Sequence, residues 1–456
     1  MRGPFITDPS CYYDPATRRW FHVVLTLDTV PATGAFTGGN HLDIAVSRSS
    51  DPTGAWTIYH LAAEDDGTSG TPDHGCSLGP CLGDYPHIGA DANGFYITPN
   101  EYSFFGPEFH GAQIYALSKH DLAAGAASVA VTQFDTAGMV GGNPGFTVWP
   151  ATSSDIGGFG GRAGTSNGGG QGGAEYFMSS DAAAEANGTG TSSDLIVWTL
   201  AHTSSLARAV PSLALSNRVL SVSPYAIPPL SDQKAGDFPQ GQCLNDPACS
   251  PNLIGGPDPF APEVISQPDS NDSRMQQVVY ANGRLWGALD TALTIHGQDK
   301  AGIAYFVVNP AAGKVDRQGY LGLAGNDLTY PAIAVSRSGR AVMAFTLMGA
   351  DHYPSAAYAA LDAKAGAGPV HVAAEGLGPD DGFTGYKAQV GDPPRTRWGD
   401  YGAAVVVGDS IWIASEYIGQ TCSLSQYEAA PFGSCGGTRT SLANWATRIS
   451  RLDVHP

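Results

Sequence analysis

The sequence predicts an all-β chain folded as a six-bladed β-propeller of four-stranded antiparallel blades. One segment type recurs down the chain, and 59 glycines and 32 prolines in 456 residues punctuate it too often for long helices. A hydrophobic content of 42%, with 10% aromatic, is enough for a sizeable core and excludes global disorder.

Each repeat opens with a polar or aromatic pair, runs into a β-rich stretch, turns at Gly, Asn or Asp, and returns as a second β-rich stretch. Openings fall at Asp8, Asp84, Val148, Ser273, Thr329 and Asp400, with return strands such as RWFHVVLTLD, NGFYITPNEY, NGRLWGALD and GDSIWIASEY. Most of these hairpins are followed by a second strand pair with its own turn, for example HLDIAVSRSSDPTGAWTIYHL. Four antiparallel strands per repeat make a propeller blade. The expected organisation is a single propeller domain over 1–456, with loop insertions at about 157–173 and 225–270. A seventh blade follows only if strands precede Met1, and the final strand WATRISRLDVHP would then close the ring. Paired sandwiches are the structural alternative.

Lys and Arg total 23 against 42 Asp and Glu, a net charge of −19 that repels phosphate backbones and anionic lipid. Neither nucleic acid nor membrane insertion is expected, and no stretch has the roughly 20 apolar residues of a membrane helix. Cys76 and Cys81, Cys243 and Cys249, and Cys422 and Cys435 form short-range pairs in Gly/Pro-rich loops. They are expected to be local disulfides, which favours an extracellular protein whose leader is absent from this sequence over a cytosolic one; a monomer is expected. Zinc is the rival reading of the cysteines, but none has CxxC spacing. Cys11 is left over, either a buried thiol near the first blade or the partner of a missing segment.

The runs SRSSDPTGAWTIYHL, GDYPHIGADANGFYITPNEY with its DLAAG turn, and RWGDYGAAVVV with IWIASEY and NWATRISRL resemble a family of secreted bacterial β-propellers of sialidase-like, BNR-repeat architecture. The likeness spans nearly the whole chain. It implies the fold, but not an activity, because family members mostly have no assigned function. Ser49-Ser50-Asp51-Pro52-Thr53-Gly54-Ala55-Trp56 echoes the family's Asp-box, a turn device without a catalytic role. A sialidase would also need three arginines converging on the substrate carboxylate, and the sequence does not assemble such a triad.

Repeat openings and second-strand ends share a rim in a propeller. That gathers Asp84, Tyr85 and His87 with Glu101 and Tyr102, and Arg397, Trp398, Asp400 and Tyr401 with Glu416. Trp149, Arg274, Gln276 and Tyr330 occupy equivalent openings. Aromatic faces stack on sugar C–H surfaces and forked donors hold hydroxyls or a uronate, so a polysaccharide or glycan is the expected partner. The candidate catalytic residues are Asp84, Glu101, Asp400, Glu416 and His87. Asp84 with Glu416, or Glu101 with Asp400, would divide acid and base or nucleophile roles in a glycoside hydrolase. His87 with Tyr85 or Tyr401 would serve a uronate lyase. The competing architectural reading has Asp84 and Asp400 capping turns, the aromatics packing between blades, and Arg397 stacking on Trp398. His74, His110, His296 and His352 are expected in solvent-exposed loops. Gly164-Thr165-Ser166-Asn167-Gly168 matches a nucleophile elbow but lies in a Gly-rich loop without flanking strand and helix. No cofactor is required by these readings, although acidic runs such as Asp269-Ser270-Asn271-Asp272 could hold a structural calcium. The function expected is a carbohydrate-active enzyme, with a non-catalytic glycan-binding or surface-binding propeller as the alternative.

Overall fold

The computed structural model describes residues 3–153, 172–390 and 395–453. The insertion expected over 157–173 therefore lies outside the described residues except for its last two positions, as does the Gly164–Gly168 motif. The fold is all-β: six small antiparallel sheets follow one another as the blades of a β-propeller. They open with Phe5–Asp14, Cys81–Ala90, Trp149–Pro150, Val279–Ala281, Asn326–Val335 and Ala403–Val407, close to the six repeat openings.

A shared backbone device explains why the openings look alike. In the first, second and fifth sheets the opening strand carries one extra residue against its partner, between Thr7 and Ser10, Asp84 and His87, and Thr329 and Ala332. Asp8, Tyr85 and Tyr330 occupy the bulges with φ of 52°, 56° and 57°, each followed by proline. A left-handed residue before proline re-aims the strand and takes its N–H out of the ladder. At Tyr330 that N–H goes to Asp290 Oδ1 at 2.9 Å, and at Thr147 the corresponding N–H goes to Asn100 Oδ1 at 2.8 Å. A side chain from one sheet's second strand thus holds the opening of the next.

The chain divides into two compact units, one of Met1–Pro224, Val278–Leu285 and Val308–Asp316, the other of Tyr225–Gln277, Trp286–Val307 and Arg317–Pro456. In the first unit, Phe21 stacks on Phe95 at 4.7 Å between the first two sheets, amid Val23, Leu25, Ile44 and Ile97. Trp198, Phe177, Tyr96 and Ile114 fill the next interface, with Trp198 Nε1 donating to Ser179 Oγ at 2.9 Å. The Asp-box echo makes the turn from Phe36–Ser47 to Trp56–Ala62, where Asp51 Oδ1 accepts from both Thr53 N and Thr53 Oγ1. The DLAAG segment is a helical turn, Lys119–Ala124, capped by Ser118 and ended by Gly125 in the left-handed region.

In the second unit, small side chains (Ala332, Ala334, Ala344 and Ala404) let the last two sheets approach closely around Val342, Ile411 and Ile413. The final strand, Trp445–Asp453, pairs antiparallel with Ser410–Ile418 as the third strand of its own sheet. The insertion at 225–270 is also more ordered than a loop. It contains the helices Pro239–Asn245 and Ser250–Ile254, each with Pro in its first turn, and a short strand, Gln267–Pro268, parallel to Arg395–Thr396. Proline is favourable there because the first-turn N–H has no intrahelical partner.

Disulfides join Cys76 to Cys81, Cys243 to Cys249, and Cys422 to Cys435. The last two pack together with Tyr427 in one buried cluster. Cys11 is free and exposed, which corrects the expectation of a buried thiol. The native chain should therefore react with one equivalent of a thiol reagent, and Cys11→Ser should abolish that reaction while changing stability by less than about 0.5 kcal/mol. More than one equivalent before reduction would contradict the pairing.

Candidate carboxyl and aromatic sites

The expected site residues divide between the two units. The first holds Asp84, Tyr85, His87, Glu101, Tyr102 and Trp149, and the second holds Arg274, Gln276, Tyr330, Arg397, Trp398, Asp400, Tyr401 and Glu416. Each pair weighed from sequence, Asp84 with Glu416 and Glu101 with Asp400, draws one carboxylate from each unit.

In the first unit the bulge at Tyr85 brings three rings together. The buried His87 ring lies 3.7 Å from half-buried Trp149, nearly parallel, and 4.4 Å from Tyr85 edge to face. Asp84 pairs in register with Asn100 and is half-buried. Tyr102 turns toward the outer strands, packing on Phe109 and donating to Glu185 Oε1 at 3.3 Å. Glu101 is buried beneath the 63–80 loop, where His74 Nδ1 lies 2.8 Å from its Oε2 and Gln113 Nε2 donates to the same oxygen at 3.2 Å. Burial, and then the neighbouring Asp65 carboxylate, push the Glu101 carboxyl up to about 10. His74 is thus a half-buried partner of a buried acid, not the solvent-exposed loop histidine expected; His296 is exposed as expected.

In the second unit, Trp398 is buried with Tyr330, Met348 and Ile418, its Nε1 donating to Thr346 Oγ1 at 3.2 Å. Arg397 is exposed and pairs with Asp400 at 2.5 Å. Arg274 grips Asp272 with two bonds, at 2.9 and 2.7 Å, while Arg395 holds Asp269 at 2.7 Å. Two guanidinium groups therefore supply countercharge along the acidic 269–272 run. Asp290 is fully buried, with Oδ2 lacking a hydrogen-bond partner, and burial raises its pKa well above the ordinary range. Its bond to the Tyr330 bulge gives it an architectural role like that of Asn100. Gln276 is buried, and Tyr401 is half-buried.

Glu416, on Ser410–Ile418, accepts from Gly399 N at 3.1 Å. Gly399 has φ of 73°, and a Cβ there would fall 2.8 Å from the Tyr330 ring, so only glycine lets its N–H reach the carboxylate. Burial raises Glu416 to about 7, with Asp400 adding repulsion and the Gly399 bond opposing it.

Asp380, a buried acid unmarked in the sequence, completes this arrangement. Leu377 N donates to Ile418 O, and Asn444 Nδ2 holds Pro379 O, fixing the 377–381 segment against the Glu416 strand. Asp380 Oδ2 has no hydrogen-bond partner, and burial followed by repulsion from Glu416 raises the carboxyl to about 8. The adjoining Asp381 is satisfied: it accepts from Gln240 N and Gly241 N and pairs with the buried Arg439 at 3.1 Å. Asp380 lines a cavity of about 20 Å³, room for one water, together with Glu263, Ser266, Gln240 and Tyr386. Glu263 is itself raised to about 7 by burial. Asp380 sits in the non-repeating stretch GLGPDDG, and only its isolation in a Gly/Pro-rich loop sets it apart in sequence.

No protein-family model matches the chain, and no curated protein matches it. Among solved structures, the α-L-arabinofuranosidase Arb93A from Fusarium graminearum is similar over 98% of this chain and 93% of that one, at 9% identity and a TM-score of 0.43. Trypanosoma rangeli sialidase is similar over 92% of this chain at 7% identity and a TM-score of 0.36, and the chain spans 54% of its length. Synechocystis apocarotenoid oxygenase is similar over 81%, at 10% identity and a TM-score of 0.35, and the chain spans 61% of it. Such distant likenesses concern the fold, and they accompany different activities, so they carry no choice of chemistry.

Proposed function

We propose that the protein is an extracellular carbohydrate-active enzyme, a glycoside hydrolase in which Asp380 and Glu416 divide the acid and base roles. The observation that carries this reading is a pair of neighbouring carboxyl groups raised to about 8 and about 7, one of them lining a water-sized cavity. Burial raises both carboxyls toward neutrality, where a buried acid and base are matched to proton transfer. Asp380 Oδ2 lacks a hydrogen-bond partner, and burial with repulsion from Glu416 outweighs the Arg439 charge and the Asp381 backbone bond, so Asp380 holds the proton and serves as general acid. Glu416, whose ionised form is supported by the Gly399 N–H, serves as base toward water. The three disulfides are consistent with an oxidising compartment. Asp380→Asn and Glu416→Gln, tested on a polysaccharide panel for released reducing ends, should each lose hydrolysis with the fold intact.

The stack of Trp149 on His87 favours a second reading, a glycan-binding platform in the first unit, since a half-buried indole supported from behind offers a flat face to a sugar ring. On that reading Trp149→Ala should weaken retention on a glycan array about tenfold, on the order of 1.4 kcal/mol. Unchanged retention removes the platform from consideration.

A further inference from the structure

We infer that Asp65, His74 and Glu101 form a zinc-binding site in the first unit. Each offers one donor atom, and the three atoms lie within 4.8 Å of one another. His74 Nδ1 is 2.8 Å from Glu101 Oε2 and 3.6 Å from Asp65 Oδ2. Ligand atoms around tetrahedral zinc, bound at about 2.0–2.2 Å, sit roughly 3.3–3.6 Å apart, so small side-chain shifts would close the set.

The second, independent observation concerns the carboxylate oxygens that face no donor. Asp65 is fully buried and Glu101 is 1% exposed, yet Asp65 Oδ1 and Glu101 Oε1 have no hydrogen-bond partner. Among the described residues, neither acid forms an ion pair with a lysine or arginine, and His74 alone faces both. Two buried carboxyl groups beside one half-buried imidazole thus keep one unpartnered oxygen each and no lysine or arginine countercharge, and a divalent cation supplies both needs.

The surroundings hold the donors in place. Gln133 Nε2 donates to Asp65 Oδ2 at 2.7 Å and to Gln113 Oε1 at 3.1 Å, while Gln113 Nε2 donates to Glu101 Oε2 and to Asp135 Oδ1. Such outer contacts orient metal ligands. The loop carrying Asp65 and His74 is closed by the Asp66–Asp73 bridge, by the bond from His74 N to Asp65 O, and by the Cys76–Cys81 disulfide. One imidazole and two carboxylates suit zinc, whereas calcium needs six to eight oxygens. The His74 side chain, 16% exposed, gives an entry path.

The test is calorimetric titration of the full-length chain, dialysed against chelator, with Zn²⁺ and separately with Ca²⁺. One Zn²⁺ per chain is expected, with affinity falling at least tenfold in His74→Ala and in Glu101→Gln, and unchanged in His60→Ala, which alters a separate surface cluster of His41, Asp43 and His60. Should the variants misfold by circular dichroism, wild-type protection of His74 from diethyl pyrocarbonate by Zn²⁺, read by mass spectrometry, replaces them. Unchanged zinc affinity in folded His74→Ala, loss of binding in His60→Ala, response to Ca²⁺ but not Zn²⁺, or no protection of His74 would each overturn the assignment.

Discussion

Hydrolysis should follow a narrow bell against pH, rising through about 7 and falling through about 8. The rise is ionisation of Glu416, and the fall is loss of the Asp380 proton. Because the groups repel one another, the two limbs belong to the pair. A pair of ordinary carboxyls would instead put the optimum near pH 4 to 5. Asp380→Asn should lower the rate by about 10² to 10⁴-fold, the usual contribution of a positioned acid. It should also raise stability at pH 8. The folded carboxyl holds its proton to about 8, while the unfolded one releases it near 4, so folding binds a proton in between. Stability contributed by this group is therefore full below about 4 and falls as pH rises toward 8. Asparagine removes that liability. A less active but more stable variant at pH 8, read by thermal unfolding, separates a strained functional acid from a structural one.

The second large effect is expected at the neighbouring residue. Asp381→Ala should destabilise the protein by about 3–5 kcal/mol in urea unfolding, because it leaves the fully buried Arg439 side chain without its carboxylate. The same change removes the acceptors for Gln240 N and Gly241 N at the start of helix Pro239–Asn245. Asp400→Ala breaks a pair of similar geometry with Arg397, but its arginine side chain is 70% exposed, so the cost should stay below about 1 kcal/mol. Equal costs at the two positions would contradict this weighting of burial. Two aspartates side by side in GLGPDDG thus have opposite parts: Asp381 is tied into the scaffold by Arg439, Gln240 N and Gly241 N, and Asp380 keeps one oxygen without a hydrogen-bond partner beside the cavity.

The blade order was legible because each blade repeats one local pattern, and the X-Pro bulge at Asp8, Tyr85 and Tyr330 marks its opening. The cysteine pairs were legible because short loops leave few partners. Glu416 stood out by recurring in a Glu-Tyr pair after a matching strand, as did Glu101. Asp380 and His74 had no such mark. They lie in loops that occur once, and their environment comes from segments distant in sequence, the strand around Ile418 for one and Glu101 for the other. The helices at 239–254 were hidden for a different reason: at five to seven residues they are too short to show an apolar period. Buried carboxyls such as Asp290 look identical in sequence to exposed ones, and only the bond to the Tyr330 bulge reveals the architectural part.

The most direct measurement of the central claim is a screen of the purified chain on plant, algal and bacterial polysaccharides. It would be read for reducing ends and for unsaturated uronates, with Asp380→Asn and Glu416→Gln alongside. Release of reducing ends by the wild type, lost in both folded variants, is the expected result. Cleavage that survives both substitutions, release of unsaturated uronates, or silence of the wild type across the panel while it is retained on a glycan array would contradict the proposal that Asp380 and Glu416 hydrolyse a glycosidic bond.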